Sequence, residues 1–279
     1  MFSMPLKIAR NLSVICAILS TTCISYGQVL HLNKDSVESI LLRSPAFGIY
    51  KNNYFITGVP VFRPLPVQHP DVKFQVSFKQ RLINRRLPLG TYLHIIYTQK
   101  SFWDMYKASR PFRETNYNPG LLLVKPTFKN NTLTGAISAT LEHESNGRDS
   151  TFSRSWNFVS ASYNRIINKR LVAGLKIWVP FLSSIGDNKD LIDYIGYGEV
   201  EIHWTVFDKL FLDFVGRKGI AGLNGSMQTD VSYKIFNKGN QYLVLQWWYG
   251  YSESLIDYRD KQNMIRVGVM FKPTYYRFY

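Results

Sequence analysis

From about residue 50 onward, polarity alternates residue by residue in stretches of about ten, each closed by a cluster of Gly, Asn, Asp or Pro. Val200, Ile202, Trp204 and Val206 alternate with Glu201, His203 and Thr205. Leu171, Ala173, Leu175, Ile177 and Val179 share one face of the preceding segment, and Leu243, Leu245, Trp247 and Tyr249 repeat the pattern later. A period of two places successive side chains on opposite faces, which is the pattern of a strand. Turn signals fall at Asn168-Lys169, Asp187-Asn188, Asn224-Gly225 and Asn237-Lys238-Gly239. Twelve segments are counted, starting near Tyr54, Lys73, Tyr92, Asn116, Thr134, Trp156, Leu171, Tyr194, Leu210, Gly225, Gln241 and Met264. An even number of strands near ten residues each predicts an all-β fold, a 12-stranded antiparallel transmembrane β-barrel. The alternative on pattern alone is a secreted β-sandwich. The closing Tyr275-Tyr276-Arg277-Phe278-Tyr279 favours the barrel, because outer-membrane barrels usually end in an aromatic.

Composition removes other classes. Hydrophobic residues make up 46% and aromatics 15% of 279 residues, too many for a disordered chain. No apolar run of about 18 residues follows the first thirty positions, so a helical membrane bundle is excluded.

The N-terminus has the layout of an export signal. Lys7 and Arg10 precede a short apolar stretch, Leu12 to Ile24, and Ser25 and Gly27 stand at −3 and −1 relative to a cut before Gln28. The stretch is too short for a spanning anchor. Lipidation at Cys23 lacks the small residue expected just before the cysteine. The expected organisation is a signal peptide over 1–27, an N-terminal extension over 28–50 with a short helix over Asp35–Leu42, and a barrel domain over 51–279. Cleavage would remove Cys16 and Cys23, and thiol catalysis and disulfides with them. The formal charge of +15 could serve nucleic acid, but clusters such as Arg81, Arg85 and Arg86 are short and an exported protein rarely meets it. Anionic lipid headgroups or lipopolysaccharide phosphates are the expected partners, with no nucleic acid.

Candidate chemistry concentrates between Ile137 and Tyr163. Ile137, Ala139 and Leu141 are odd and apolar; Ser138, Thr140, Glu142 and Glu144 are even and polar. In a membrane barrel the apolar set faces lipid. His143 and Ser145 continue that odd set, and on the returning strand Asn157 shares the face of Val159, Ala161 and Tyr163. Polar groups there need a reason, although a site at headgroup level would also explain them. An imidazole two residues from a hydroxyl, with a carboxamide across the hairpin, is a nucleophile–base–orienter arrangement. Ser145 would attack, His143 would take its proton, and Asn157 would orient the ring. Asparagine carries no charge, so a cation near the oxyanion would compensate. The loop 146–156 offers carbonyls, hydroxyls and Asp149, all hard oxygens suited to Ca2+. Asn146-Gly147 provides a turn whose N–H could meet an oxyanion.

The string HESNGRDSTFSRSWN at 143–157 resembles the signature of the outer membrane phospholipase A family. PFRETNY at 111–117, YTQKSFW at 97–103, YGYSESLIDY at 249–258 and RVGVMF at 266–271 are similar to that family too, in the same order. The resemblance implies a twelve-stranded barrel in the cell outer membrane. It implies a Ca2+-dependent homodimeric hydrolase cleaving sn-1 and sn-2 acyl esters of phospholipids and lysophospholipids near the outer leaflet. By motif position, Ser145 is the nucleophile, His143 the base, Asn157 the third member and Gly147 an oxyanion donor. The Arg148 carbonyl and the Ser153 hydroxyl would bind the catalytic calcium, with the Ser109 carbonyl arriving from a second subunit. Asp187 matches an acidic residue of a second calcium position, and Gln99 a polar residue of the dimer interface.

No HExxH, GxSxG, GxGxxG or P-loop is present. His203 is expected inside the barrel, and Glu253, Asp257 and Tyr258 in loop or lining roles. The competing readings are a passive pore or structural barrel with a fortuitous triad, and an outer-membrane lipopolysaccharide deacylase.

Overall fold

The computed structural model describes residues 32–61, 70–181 and 188–273. The expected signal peptide, Asp187 and the closing aromatic run therefore lie outside the described residues. Strand β1 is Phe47–Ile49, followed by β2 (Asn53–Pro60), β3 (Asp71–Arg81), β4 (Tyr92–Trp103), β5 (Phe112–Lys129), β6 (Thr132–Ser145) and β7 (Ser155–Asn168). The remainder are β8 (Leu171–Pro180), β9 (Gly198–Phe207), β10 (Leu210–Lys218), β11 (Gly225–Lys234), β12 (Gln241–Gly250) and β13 (Gln262–Phe271). Each of β2 to β13 pairs antiparallel with its sequence neighbour, and β13 pairs with β2, so twelve strands close a ring. Closure leaves no unpaired edge to face lipid. The short β1 is additional: it lies on β3 at Phe78 to Gln80, in line with β2, which pairs with β3 from Asp71 to Gln75.

Two features differ from the sequence reading. The segment expected to start near Tyr194 is first a short helix, α2 in chain order (Leu191–Ile195), and the strand begins only at Gly198. Leu191, Ile192 and Ile195 are all buried, so they read as an apolar run that periodicity alone cannot assign. The strand expected near Asn116 starts at Phe112 and runs to Lys129. In the N-terminal segment, helix α1 (Lys34–Arg43) covers the expected Asp35–Leu42. Asn33 caps it by accepting from the Ser36 N–H, and the Arg81 guanidinium binds the carbonyls of Leu41, Leu42 and Ser44 at its other end. Both ends of α1 are thus tied to the barrel rim, because the Leu133 N–H also donates to the Leu32 carbonyl.

The alternation sorts into a lipid face and a lumen. Leu121, Leu123, Ile137, Leu141, Val159, Leu175, Ile177, Leu243, Leu245, Val267 and Val269 are exposed on the outer wall. The lumen is packed with paired charges instead. Arg266 is bidentate to Asp71 at 2.7 and 2.8 Å and also binds Glu253 at 2.6 Å. Lys73 reaches Glu253 at 2.9 Å and Gln246 at 2.7 Å. His203 points inward against Asp213 at 2.8 Å. Connections at one end are short, as at 130–131, 169–170 and 208–209; at the other they include 146–154 and 181–197. In outer-membrane barrels the short turns are periplasmic and the long loops external.

Candidate active site on the lipid-facing wall

The β6–β7 hairpin sets the candidate site. Its register pairs His143 directly with Asn157, Glu144 with Trp156 and Ser145 with Ser155. His143 Nδ1 and Asn157 Oδ1 are 2.7 Å apart. A carboxamide oxygen only accepts, so the ring carries its proton on Nδ1 and leaves Nε2 with a lone pair. Ser145 follows on the same strand face, two residues nearer the loop, and its hydroxyl forms no hydrogen bond among the described residues. Geometry therefore joins the expected base and orienter, while the expected nucleophile stands on their face without a bond to the ring. Such links are often loose before substrate binds.

Parity places these three side chains away from the lumen. The lumenal cavity of ≈ 240 Å³ is lined by Glu142, Glu144, Trp156 and Phe158, the even residues of the same two strands. Lys176 and Glu142 pair within it at 2.9 Å. An acyl chain entering a cavity with such charges would have to displace them. The outer wall presents Leu141 and Val159, both exposed, immediately below the site.

The sequence reading names Asn146 and Asn188 only as turn residues and does not single out Asn118, yet the side chains of all three shape the site. Asn146 is buried, accepts from the N–H groups of Arg148 (3.3 Å) and Arg154 (3.0 Å), and donates to the Phe152 carbonyl at 2.8 Å. One carboxamide thereby folds the whole loop after Ser145. Asn118 donates to the His143 carbonyl at 3.0 Å, and the fully buried Asn188 accepts from the Ser155 N–H at 3.1 Å. The only advance signal for these is the density of asparagine beside the recognised strings. Gly147 has φ +65, and a Cβ there would lie 3.0 Å from the Tyr117 ring. Both facts favour glycine, since the left-handed region costs other residues about 1–2 kcal/mol.

Behind the wall, Trp156 and Phe158 stack at 3.9 Å between centroids. They pack with Trp178, α2, Leu255 and Tyr258 in one buried cluster. Asp190 locks this cluster from above, accepting from Tyr258 and from Arg259 at 2.7 and 2.9 Å. The Arg259 hydrogen bonds hold the Asp190 carboxyl below the ordinary carboxylate range. Strands β6 and β7 therefore present the site from a rigid backing, as preorganised chemistry requires.

The predicted calcium ligands are spread more widely. Arg148 and Ser153 lie in the Asn146-folded loop, and Ser109 is exposed in the β4–β5 connection. The carbonyls of Asp149 and Ser150 are taken by the Phe152 and Ser153 N–H groups. The Arg148 carbonyl and the Ser153 hydroxyl accept no hydrogen bond among the described residues, so both hard oxygens stay open to a cation. The Arg148 guanidinium is turned toward Glu114, at 3.3 Å, and the Arg113 carbonyl. Among the described residues no cluster of three His, Cys, Asp or Glu forms a metal site. Gln99 lies on the outer wall in one lateral row with Tyr117 and Ser145, bonded to Tyr97 at 2.9 Å.

A family model described as Phospholipase A1 matches residues 51–271. The putative phospholipase A1 of Neisseria meningitidis is 34% identical over 210 residues, covering 72% of this chain and 54% of that protein. The phospholipase A1 of Escherichia coli K12 is 35% identical over 210 residues, covering 72% and 69%. The chain thus spans about half of the first relative and just over two thirds of the second. The Salmonella typhi outer membrane phospholipase dimer with bound calcium superposes at TM-score 0.72 with 30% identity, over 80% of this chain and 91% of that one. An asparagine-to-alanine active-site mutant of Escherichia coli outer membrane phospholipase A gives 0.74 with 27% identity, over 88% and 99%.

Proposed function

The chain belongs to the phospholipase A1 family, and from that premise we propose that it hydrolyses acyl esters of phospholipids and lysophospholipids with Ser145, His143 and Asn157. Its closed barrel is of the outer-membrane kind and sits in that membrane. The observation that carries the reading is the 2.7 Å link between His143 Nδ1 and Asn157 Oδ1 on a wall that is otherwise apolar. A passive barrel has no use for an oriented imidazole facing lipid.

The chemistry follows from the tautomer. With Nδ1–H donated to Asn157, the Nε2 lone pair takes the Ser145 proton as Oγ bonds to the ester carbonyl carbon. The carbonyl π electrons move to oxygen, where the Gly147 N–H donates. Collapse expels the alcohol of the lysolipid, which takes the proton from Nε2 and leaves an acyl-serine. Water, deprotonated by the same nitrogen, then frees the fatty acid and restores Ser145. Substrate reaches the wall by lateral diffusion with its tails beside Leu141 and Val159.

A neutral third member leaves imidazolium and oxyanion under-stabilised. Ca2+ held by the Arg148 carbonyl, the Ser153 hydroxyl and the partner subunit's Ser109 would supply positive charge beside the oxyanion. The two open oxygens of the Asn146-folded loop support this reading, as does the exposure of Ser109. Asp187 is the proposed ligand of a second calcium, and Gln99 a contact of the homodimer. Gln99 shares one lateral row with Ser145, one strand removed across Tyr117, which supports the reading that dimerisation completes the site and acts as a switch.

A labelled phospholipid tests the cation. Activity with Ca2+ should exceed activity in chelator by roughly 10²–10³, the range for losing one oxyanion stabiliser. Equal rates would remove calcium from the mechanism. Covalently crosslinked dimers should stay active when diluted in detergent, while uncrosslinked protein loses activity with dilution. Concentration-independent specific activity of the latter would refute the switch.

A further inference from the structure

The two ends of the barrel differ in charge. At the end that carries the two-residue turns, connections 82–91, 130–131, 169–170, 208–209 and 235–240 contain six cations, Arg85, Arg86, Lys169, Arg170, Lys209 and Lys238, and one acid, Asp208. Helix α1 at that end adds two charges of each sign. The described long connections at the opposite end balance seven acids against seven cations. The excess charge of the described connections therefore lies at the end where the wall meets the inner leaflet.

Within that collar, two cations stand on the lipid-facing wall itself. One lateral row runs Lys125–Ile137–Tyr163–Leu175 across β5 to β8, and the next row toward the turns runs Thr127–Gly135–Arg165–Ala173. Ile137, Tyr163 and Leu175 are exposed to the hydrocarbon side, which puts both rows on the outer face. Lys125 and Arg165 flank β6 diagonally, roughly 12 Å apart at Cα by strand spacing. Gly135 alone occupies the strand between them in the Arg165 row, so no side chain rises to separate the two. Both are exposed, neither makes an ion pair or hydrogen bond among the described residues, and neither row holds an acid. Tyr163 directly above marks the interface depth, where tyrosine rings settle at headgroup level.

Unpaired cations on a lipid-facing wall lack a protein counter-charge, and their long stems let both heads snorkel toward one phosphate. We propose that Lys125 and Arg165 form a binding site for the anionic headgroup of an inner-leaflet glycerophospholipid. The lipid's chains lie along Ile137, Tyr163 and Leu175. The site shares β5, β6 and β7 with the candidate catalytic wall but sits at the other membrane face. It therefore anchors the barrel's depth and does not present an ester to Ser145.

The test is native mass spectrometry of the full chain in neutral detergent with chelator, offered equimolar phosphatidylglycerol and phosphatidylcholine. Each cation near an anionic headgroup contributes roughly fivefold. The parent should retain phosphatidylglycerol over phosphatidylcholine by at least about fivefold, and K125Q/R165Q should bring that ratio near one. The control K209Q/K238Q, with two turn lysines removed, should keep the parent ratio. Heat-modifiable gel migration verifies that all three are folded. No preference in the parent, an unchanged ratio in K125Q/R165Q, or an equal loss in K209Q/K238Q each overturns the site. Hydrolysis is not the readout, so failure of the phospholipase mechanism would leave this result unaffected.

Discussion

Under the proposed mechanism, Ser145→Ala is expected to lower kcat for phospholipid hydrolysis by roughly 10⁴-fold or more, with the barrel intact. Knocking out a nucleophile costs about as much as removing a whole triad, and the facing Ser155 lacks the i, i+2 spacing that sets Ser145 beside His143. The Ser145 hydroxyl makes no hydrogen bond among the described residues. The unfolding midpoint and the heat-modifiable band should therefore match the parent. Asn157→Ala is expected to retain more activity than Ser145→Ala, because it loses only ring orientation. Rates of labelled-lipid release, measured on protein shown to be folded, decide the matter. Substantial turnover by the Ser145 variant would move the chemistry elsewhere and leave the His143–Asn157 pair without a role.

Arg266→Met should be the most destabilising single change inside the lumen. Arg266 is fully buried and binds both Asp71 and Glu253 through its planar fork. Its removal leaves two buried carboxylates to share Lys73 and the partly exposed Arg113. Breaking a buried pair by deleting one partner costs about 3–5 kcal/mol, because the other charge stays desolvated. Arg259 provides the contrast. It binds Asp190 with equally good geometry, but its side chain is 56% exposed, and exposed pairs contribute little to stability. Denaturant unfolding in micelles should show a large drop in midpoint for Arg266→Met and little change for Arg259→Ala. Equal shifts would mean that the lumen is wet enough to solvate the orphaned carboxylates.

Much of this protein was legible before any coordinates. Strand periodicity depends only on residue type along the chain, so alternation alone separated the lipid face from the lumen and put His143, Ser145 and Asn157 on the same side. It also anticipated the inward His203, while the helix over Asp35–Leu42 was expected apart from the alternation and stands as α1. Register, loop folding and charge pairing were not available in that way. The partner of Arg266 lies 195 residues away at Asp71, and no local pattern encodes such a distance. Asn146, Asn118 and Asn188 are ordinary polar residues until strand register and the packing of the β6–β7 and β8–β9 connections bring their carboxamides to the site. The α2 run carried the same apolar signal as a strand until packing against Trp156 and Tyr258 selected helix. The sequence by itself determined which face each side chain occupies, because that is a property of one strand. Tertiary structure decided which of those side chains meet, because that depends on how closure aligns strands far apart in the chain.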